Sequence, residues 1–475
     1  MHRFLAFSFL LILGLYSWGQ DEVTDADSLQ TLSFDGFMER VLEHHPLSIQ
    51  ANIQLDKGRA ELQQARGAFD PKLLQTTNQK YFDDKQYYSL IDGGFKIPTW
   101  FGIEVKGGYE QTRGVFLNPE NNLPDAGLWY AGVTVPVGQG LFIEKRRASL
   151  QQAKSVQHST QAQRDALLNE LLYEAGQVYW AWFEAYSILQ VFEEGLDLAM
   201  TRYEFVKKGA ALGDRPSVDT LEAGIQVQNR QLNLQEATLA YINFTRELEV
   251  FLWERGIVPL EVDSATVPQV VDPAQVNSNL PWSTMDVDTF LSQHPQLRQT
   301  QFAIDQLEVD QRWAREQLKP IINVTYNALS EPVGGEVMPM YSINDYKWGL
   351  EFSFPIFLRK ERGKIEMNRL KIQEKRLEFD NKQENIRFKV EASFNEWNIT
   401  REQIQLYERT VRDYNSLLGA ERQLFRVGES SLFLVNSRER SYLSARVKLI
   451  ELIQKNQKSQ LKTRYNLGIL GQEVR

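Results

Sequence analysis

Residues 346–355 read YKWGLEFSFP, and this stretch predicts a strand with two different faces. Large apolar side chains occupy every second position, whereas lysine, glycine, glutamate and serine fill the positions between them. Successive side chains of a strand point to opposite sides, so one face is apolar and the other tolerates water. Pro355 ends the pattern, because proline has no backbone N–H to offer a neighbouring strand.

The strand leads into a very long helix. Residues 364–418 contain neither glycine nor proline, so about 55 residues can form one helix of roughly 80 Å. Its packing face is visible in Ile386, Val390, Phe394 and Trp397, which recur at helical spacing. A helix of this length cannot bury such a face in its own small core, and we therefore expect other long helices beside it.

The chain repeats this arrangement. The His-Pro pair at 45–46 returns at 294–295, and the proline at 71 returns at 320, in both cases 249 residues later. Beyond each of these prolines the pattern changes to the alternation of strands. We expect strands at 101–106 and 128–137 in the first half and at 322–328 and 346–357 in the second. The first insert is 30 residues longer and contains the strand-like piece 87–96, which could be a longer hairpin, a loop or an extra pair.

Each strand pair precedes a predicted helical hairpin, whose first helices cover 141–208 and 359–425. The N-terminus has an apolar run at 4–16 after His2 and Arg3, which is typical of a cleaved export signal; an uncleaved anchor would need about 20 apolar residues. The predicted division is a signal peptide at 1–19, a first repeat (helix, strand pair, long hairpin) at 20–255, a proline-containing linker at 256–283 and a second repeat at 284–475.

Composition excludes several classes of function. The net charge of −9 argues against nucleic acid as the main partner, because phosphate binding requires a basic excess. With no cysteine, the chain has neither disulfides nor a thiolate metal site nor a lipid-modified cysteine. His44, His45 and His294 lack clustered acidic partners, and phosphate-loop and nucleophile-elbow motifs are absent. We expect no enzyme, no cofactor and no metal.

Any membrane crossing by the mature chain must use strands, since no later stretch reaches 18 consecutive apolar residues. Two strand pairs give about four strands per copy. Four strands cannot close a barrel, but three copies sharing their edges would provide twelve. Trp129, Tyr130, Tyr346 and Trp348 suit the aromatic girdle of such a barrel, although the core of a soluble sheet would use them equally well.

In the order and duplication of these elements the chain resembles the TolC-like outer membrane efflux family, from about residue 32 to residue 471. The local signatures are the sequence GAFDP at 67–71, the junctions at Pro136 and Pro355, and the two hairpin turns. The resemblance implies a mainly α-helical homotrimer with a 12-stranded outer membrane barrel and a periplasmic helical tunnel. It also implies partners, an inner membrane pump and a periplasmic adaptor (membrane fusion) protein, and no catalysis.

The hairpin tips contain one glycine each, at positions where a helix must reverse. Glycine accepts the left-handed backbone that ends a helix, and the serines that follow can cap the next helix, so local structure alone explains these residues. The resemblance adds a contact with the adaptor, which it places at Leu212, Gly213, Ser217, Val427, Gly428 and Ser430.

The resemblance also places a narrow periplasmic aperture six and nine residues beyond each tip glycine. Those positions hold Asp219 and Glu222 in the first half, but Leu434 and Ser437 in the second, which departs from the family's acidic pattern. Three copies of one acidic residue would make a negative ring in a narrow pore. Alternatively, Asp219 only stabilises a helix N-terminus, or Leu434 forms an apolar constriction.

Two other functions compete with an export channel. A periplasmic coiled-coil adaptor or scaffold would carry one helical hairpin flanked by small β-domains, whereas here strand pairs and hairpins alternate twice. A passive porin would need many strands per chain and no long helices. The pattern favours the channel.

Overall fold

The computed structural model describes residues 30–263, 265–271, 287–332 and 341–473. The predicted signal peptide lies outside these residues, as does the part of the predicted linker from 272 to 283. Within the described residues the helices are α1 (Phe34–His44), α2 (Pro46–Arg66), α3 (Lys145–Ala211), α4 (Ser217–Glu249), α5 (Val287–Gln293), α6 (Pro295–Glu316), α7 (Arg359–Arg426), α8 (Leu432–Leu467) and α9 (Leu470–Glu473).

The strands of the described residues are β1 (Gln30–Leu32), β2 (Lys72–Phe82), β3 (Lys85–Pro98), β4 (Glu104–Arg113), β5 (Leu128–Pro136), β6 (Trp253–Glu254), β7 (Val258–Pro259), β8 (Thr266–Pro268), β9 (Ile321–Ser330) and β10 (Tyr346–Ser353). β1 pairs with β8 in parallel, and β6 pairs with β7. The other six strands form one antiparallel sheet in the order β10-β9-β5-β4-β3-β2.

Long helices dominate the molecule. α3 has 67 residues and α7 has 68, so each is about 100 Å long. On the side of the sheet α2, α3, α6 and α7 lie next to one another in that order, and beyond them α4 and α8 pair with the remaining lengths of α3 and α7. The predicted face of α7 is buried at Ile386, Val390 and Trp397.

The main core lies midway along the helices, where α1, α3, α4 and α8 meet. Tyr179 and Trp182 of α3 are fully buried there. The Trp182 indole Nε1 donates to the Thr245 hydroxyl at 3.0 Å, and the Tyr179 hydroxyl donates to the Leu32 carbonyl at 2.8 Å. The polar atoms of both aromatic rings are therefore satisfied inside an apolar cluster.

α3 and α8 approach each other closely at two glycines of α3. A Cβ at Gly176 would lie 2.5 Å from Leu461 Cδ2, and one at Gly195 would lie 3.1 Å from Leu443 Cδ1. Both leucines are buried. The seam between α3 and α8 can be this close because glycine has no side chain at these two positions.

The sheet has one apolar and one polar face, as the alternation predicts. Cross-strand partners on the apolar face are Val133 with Tyr326 and Tyr326 with Trp348. The polar face carries, among others, Asn327 opposite Lys347. The chain leaves the sheet for α3 after Pro136 and for α7 after Ser353, so one end of the sheet adjoins the helices and the other points away from them.

The expectation of about four strands per copy is too low, because the sheet contains six. The predicted strands at 101–106 and 128–137 correspond to β4 and β5, and the longer first insert forms two further strands, β2 and β3. The β2 sequence KLLQTTNQKYF shows no regular alternation of apolar and polar side chains. The turn between them uses Asp83 and Asp84, both at positive φ (52° and 54°), as a tight hairpin requires.

Candidate functional site

The end of α3 is the first hairpin tip, and it has the geometry of a Schellman motif. Gly213 has a φ of +82° and donates its N–H to the Ala210 carbonyl at 3.1 Å. The Asp214 N–H reaches back to the Gly209 carbonyl at 2.9 Å. These two bonds satisfy carbonyls that the helix would otherwise leave unpaired.

The second tip, at the end of α7, has the same geometry. Gly428 also has a φ of +82°, its N–H donates to the Phe425 carbonyl at 3.3 Å, and the Glu429 N–H donates to the Leu424 carbonyl at 2.9 Å. An L-residue is strained in this conformation, so both positions favour glycine.

Both tips present an exposed apolar side chain beside the glycine. Leu212 exposes 77% of its surface and Val427 exposes 70%. No heavy atom lies within 4 Å of the position that a Cβ would take at Gly213 or Gly428, apart from their chain neighbours. The structure thus offers the same small apolar surface twice, once at each tip.

Arg215 joins the two tips. Its guanidinium lies over the ring of Phe425 at 4.0 Å and near that of Phe205 at 5.5 Å. Its Nη2 also donates to the Phe425 carbonyl at 3.3 Å. A cluster of buried side chains lies behind this contact, consisting of Val206, Ala223, Leu418, Phe425, Leu432 and Val435. The tips are therefore packed as one unit within the chain.

Of the serines that follow the tips, Ser431 has the expected capping role, whereas Ser217 and Ser430 do not. Ser431 caps α8, because its Oγ accepts the Leu434 N–H at 3.3 Å. Ser217 does not cap α4: Pro216 holds the cap position in an extended conformation, and Ser217 is already the first helical residue. Ser430 instead donates its hydroxyl to the Glu421 carboxylate.

The three predicted aperture residues lie near the tips on two helices. Asp219 is half-buried in the first turn of α4, and Leu434 is 39% exposed in the first turn of α8. Glu222, one turn further along α4, accepts a hydrogen bond from the Asn436 side chain of α8 at 3.0 Å. This bond ties Glu222 to α8 within the chain.

A buried ionic cluster above the tips escaped the sequence analysis. Glu439 of α8 is fully buried, and its two oxygens accept hydrogen bonds from Arg202 at 2.5 and 2.9 Å. Arg230 lies 3.7 Å away and Arg422 lies 3.5 Å away. Burial lowers the pKa of the Arg230 guanidinium. One carboxylate thus connects α8 with an arginine from each of α3, α4 and α7.

The sequence does contain a signal for this cluster. Leu432, Val435, Glu439 and Leu443 follow one another at spacings of three, four and four, which places them on one helix face. All four are buried. A carboxylate on an apolar helical face must have charged partners, because an unpaired buried charge is too costly.

The repeated His-Pro pairs are helix starts. His45 Nδ1 accepts the Leu47 N–H at 3.2 Å, and His294 Nδ1 accepts the Gln296 N–H at 3.3 Å, so each neutral imidazole caps its helix. Burial lowers the pKa of His294 to about 4, and the nearby Lys382 adds to that effect. Among the described residues there is no group of three or more His, Asp or Glu side chains that could hold a metal ion.

His294→Asn is expected to reduce the acid sensitivity of the fold. The folded pKa lies below the usual 6.5, so the imidazole is neutral in both states above that value and costs nothing there. As the pH falls from 6.5 towards 4, the unfolded chain takes up the proton first and stability is lost, by about 2 kcal/mol at pH 5. Asparagine can still cap the N-terminus of α6, but it takes up no proton in this pH range.

The measurement is the unfolding temperature of the detergent-solubilised protein between pH 7 and pH 5. His158→Asn at an exposed position is the matched control and should follow the unmodified chain. An equal loss of stability with pH in the His294 variant would contradict the prediction.

The four predicted membrane-strand aromatics divide between the two faces of the sheet. Trp129, Tyr346 and Trp348 lie on the apolar face, and Trp348 is 64% exposed. Tyr130 lies on the opposite face, where its hydroxyl donates to the Asp92 carboxylate of β3 at 3.1 Å. In the part of the chain that the structure describes, no helix is long and apolar enough to span a membrane.

The chain is similar to one family model in part of its sequence and to several solved outer membrane proteins in fold. The family model of the outer membrane efflux proteins matches residues 287–467. The MtrE channel of Neisseria gonorrhoeae, solved in its open state, is 15% identical over 92% of this chain and 88% of its own, with a TM-score of 0.67.

Two further solved outer membrane proteins are similar in fold. VceC of Vibrio cholerae is 13% identical over 92% of this chain and 96% of its own, with a TM-score of 0.63. CmeC of Campylobacter jejuni is 15% identical over 92% of this chain and 85% of its own, with a TM-score of 0.62. The comparison with curated proteins found no match. At these identities the solved structures establish the TolC-like fold.

Proposed function

We propose that this chain belongs to the outer membrane efflux protein family and is the outer membrane channel of a tripartite export system. The observation that carries the proposal is the order of parts along the molecule. A sheet with one apolar face leads directly into helices about 100 Å long, and these end in two matching apolar tips. The sheet sits in the outer membrane, and the helices reach across the periplasm.

Three copies of the chain form the duct. Substrates enter from an inner membrane pump through a periplasmic adaptor and leave through the barrel. The family is one of channels, and the chain acts by passage rather than by chemical reaction. The long helices α3, α4, α7 and α8, each of more than 30 residues, disfavour a passive porin, and the duplication of sheet and hairpin disfavours an adaptor.

The hairpin tips are the adaptor contact. The exposed side chains of Leu212 and Val427, each beside a left-handed glycine, give both tips the same shape, so one type of apolar partner surface fits both. Arg215 holds the tips together, and an adaptor that bound one tip would therefore also move the other.

Membrane fractionation and an export assay test the proposal. The chain is expected in the outer membrane fraction as a trimer, and its deletion should raise sensitivity to compounds exported by the inner membrane pump that it serves. Recovery of the protein only from the soluble periplasm would overturn the proposal and favour the adaptor alternative.

Asp219→Asn is expected to weaken the block of the channel by divalent cations several-fold. Three copies of Asp219 near the tips would focus negative potential in a narrow pore, and the amide removes that charge. The measurement is the conductance of the purified trimer in planar bilayers as a function of Mg²⁺ concentration.

The matched control is Asp214→Asn, an exposed aspartate at the same tip but outside the helix. If both variants retained the unmodified response to Mg²⁺, Asp219 would have no role in the aperture. The apolar constriction at Leu434 would then be the stronger assignment.

A further inference from the structure

The six-stranded sheet ends in two open edges. Every residue of β2 is exposed, and so is every residue of β10. In the described residues β2 pairs only with β3, and β10 pairs only with β9. A bilayer offers no hydrogen bonds to unpaired strand edges, so both edges require a partner once the sheet lies in the membrane.

The two edges are complementary in direction. β2 follows α2 and runs away from the helices, whereas β10 runs back towards them into α7. β2 of one copy would therefore meet β10 of the next copy as an antiparallel pair. All the other junctions of the sheet are antiparallel as well.

We infer that β2 pairs with β10 of the neighbouring copy and that the trimer closes a barrel of eighteen strands rather than twelve. This inference rests on the proposed function, which places the sheet in the outer membrane as a trimer. Six strands from each of three copies give this number, and they make the barrel about half as wide again as one of twelve strands.

The stagger of the sheet predicts the register of the new junction. Pro136 lies opposite Asn323, two residues inside β9; Glu104 lies opposite Thr134, two residues inside β5; and Lys72 lies opposite Lys96, two residues inside β3. At the other two junctions the helix-side ends of the strands are level. From β10 to β2 the helix-side ends of the strands therefore move away from the helices by six residues in total.

We assume that the helix-side ends of β2 and the neighbour's β10 are level. An offset of six residues across the six strands of each copy then corresponds to a strand tilt of roughly 35°, within the range of closed barrels. That register places Lys72 opposite the neighbour's Ser353 and Thr76 opposite its Gly349. It also places Leu73 beside Phe352, on the face that carries the other apolar side chains. A shift by two residues would put Lys80 opposite Lys347, which is unfavourable for like charges.

An eighteen-stranded barrel also fits the tunnel below it. Near the sheet each copy contributes α2, α3, α6 and α7 side by side, so the trimer has twelve helices there. At 8–10 Å per helix their ring measures roughly 110 Å around. Eighteen strands at 4.7–4.9 Å, tilted by about 35°, measure roughly 105 Å around, so the two tubes can join without a step.

Paired cysteines test the junction, and the natural chain has no cysteine to interfere. Thr76→Cys combined with Gly349→Cys should form disulfide-linked dimers and trimers under oxidation in isolated outer membranes, because directly opposite residues have the required spacing. Lys106→Cys combined with Glu351→Cys is the matched comparison. These two positions would face each other if only β4, β5, β9 and β10 formed the barrel and the helix-side ends of β4 and β10 were level.

Cross-linking of the Thr76 pair without the Lys106 pair supports the inference. Cross-linking of the Lys106 pair, or failure of both pairs in trimers recovered from the outer membrane, overturns it. Those failures leave the proposed function intact as long as the double variants still export. Absence of the unmodified chain from the outer membrane is the separate result that removes the proposed function.

Discussion

Replacing Glu439 with glutamine is expected to lower the stability of the helix assembly above the tips by about 3–5 kcal/mol, because removal of one partner leaves buried charges uncompensated. Glu439 is the carboxylate that Arg202, Arg230 and Arg422 share, and its side chain is fully buried. The neutral amide keeps the shape but loses the charge that these three guanidinium groups need. The unfolding temperature, followed by helical ellipticity in detergent, should fall markedly.

Glu194→Gln is the control, because Glu194 of α3 also pairs with an arginine of α8, Arg446, but its side chain is half exposed. Exposed ion pairs contribute less than about 1 kcal/mol, so this variant should unfold near the temperature of the unmodified chain. Equal unfolding temperatures for both glutamine variants would show that the Glu439 cluster does not hold the helices together. If the Glu439 cluster keeps the tips closed, trimers of the Glu439 variant should also conduct more than unmodified trimers in planar bilayers.

Gly428→Val is expected to reduce export by roughly tenfold or more while trimers remain in the outer membrane. Valine at a φ of +82° is strained by at least 1–2 kcal/mol, and relief of that strain changes the shape of the tip. A loss of 1.4 kcal/mol in adaptor affinity corresponds to a factor of ten. Export should be measured as the sensitivity of cells to a pump substrate, with the trimer quantified in the same membranes.

Gly419→Ala separates this effect from a general effect of glycine replacement. Gly419 lies inside α7 with open space at its Cβ position, and alanine there should leave export unchanged or stabilise the helix slightly. Full export by the Gly428 variant would mean that the tip does not need its left-handed residue to bind the adaptor.

The strand at 346–353 and the helix after it could be predicted because both carry strong periodic patterns. β2 could not, because its sequence KLLQTTNQKYF lacks a regular alternation of apolar and polar residues, and the pair Asp83 and Asp84 is a weaker turn signal than Asn-Gly. Trp129 and Tyr130 are neighbours in sequence but lie on opposite faces of the sheet. Their aromatic character alone could not show which face each of them occupies.

The ionic cluster was missed because Arg438 and Arg440 flank Glu439 in the sequence, and this run of charges hides the apolar helix face on which Glu439 lies. Its partners Arg202, Arg230 and Arg422 lie on three other helices, and only the packing of all four brings them together. The helix ends, in contrast, follow from local chemistry, and both tip glycines have the conformation expected for them.

The close contact between α3 and α8 lies far enough from the hairpin tip to act as a pivot for it. At Gly195 the backbone of α3 packs closely on Leu443 of α8, and 18 residues separate this point from the tip glycine Gly213. That length corresponds to an arm of roughly 27 Å. A rotation of only about ten degrees around the seam would move the tip by roughly 5 Å, so small changes at this pivot are amplified into large displacements at the mouth of the tunnel.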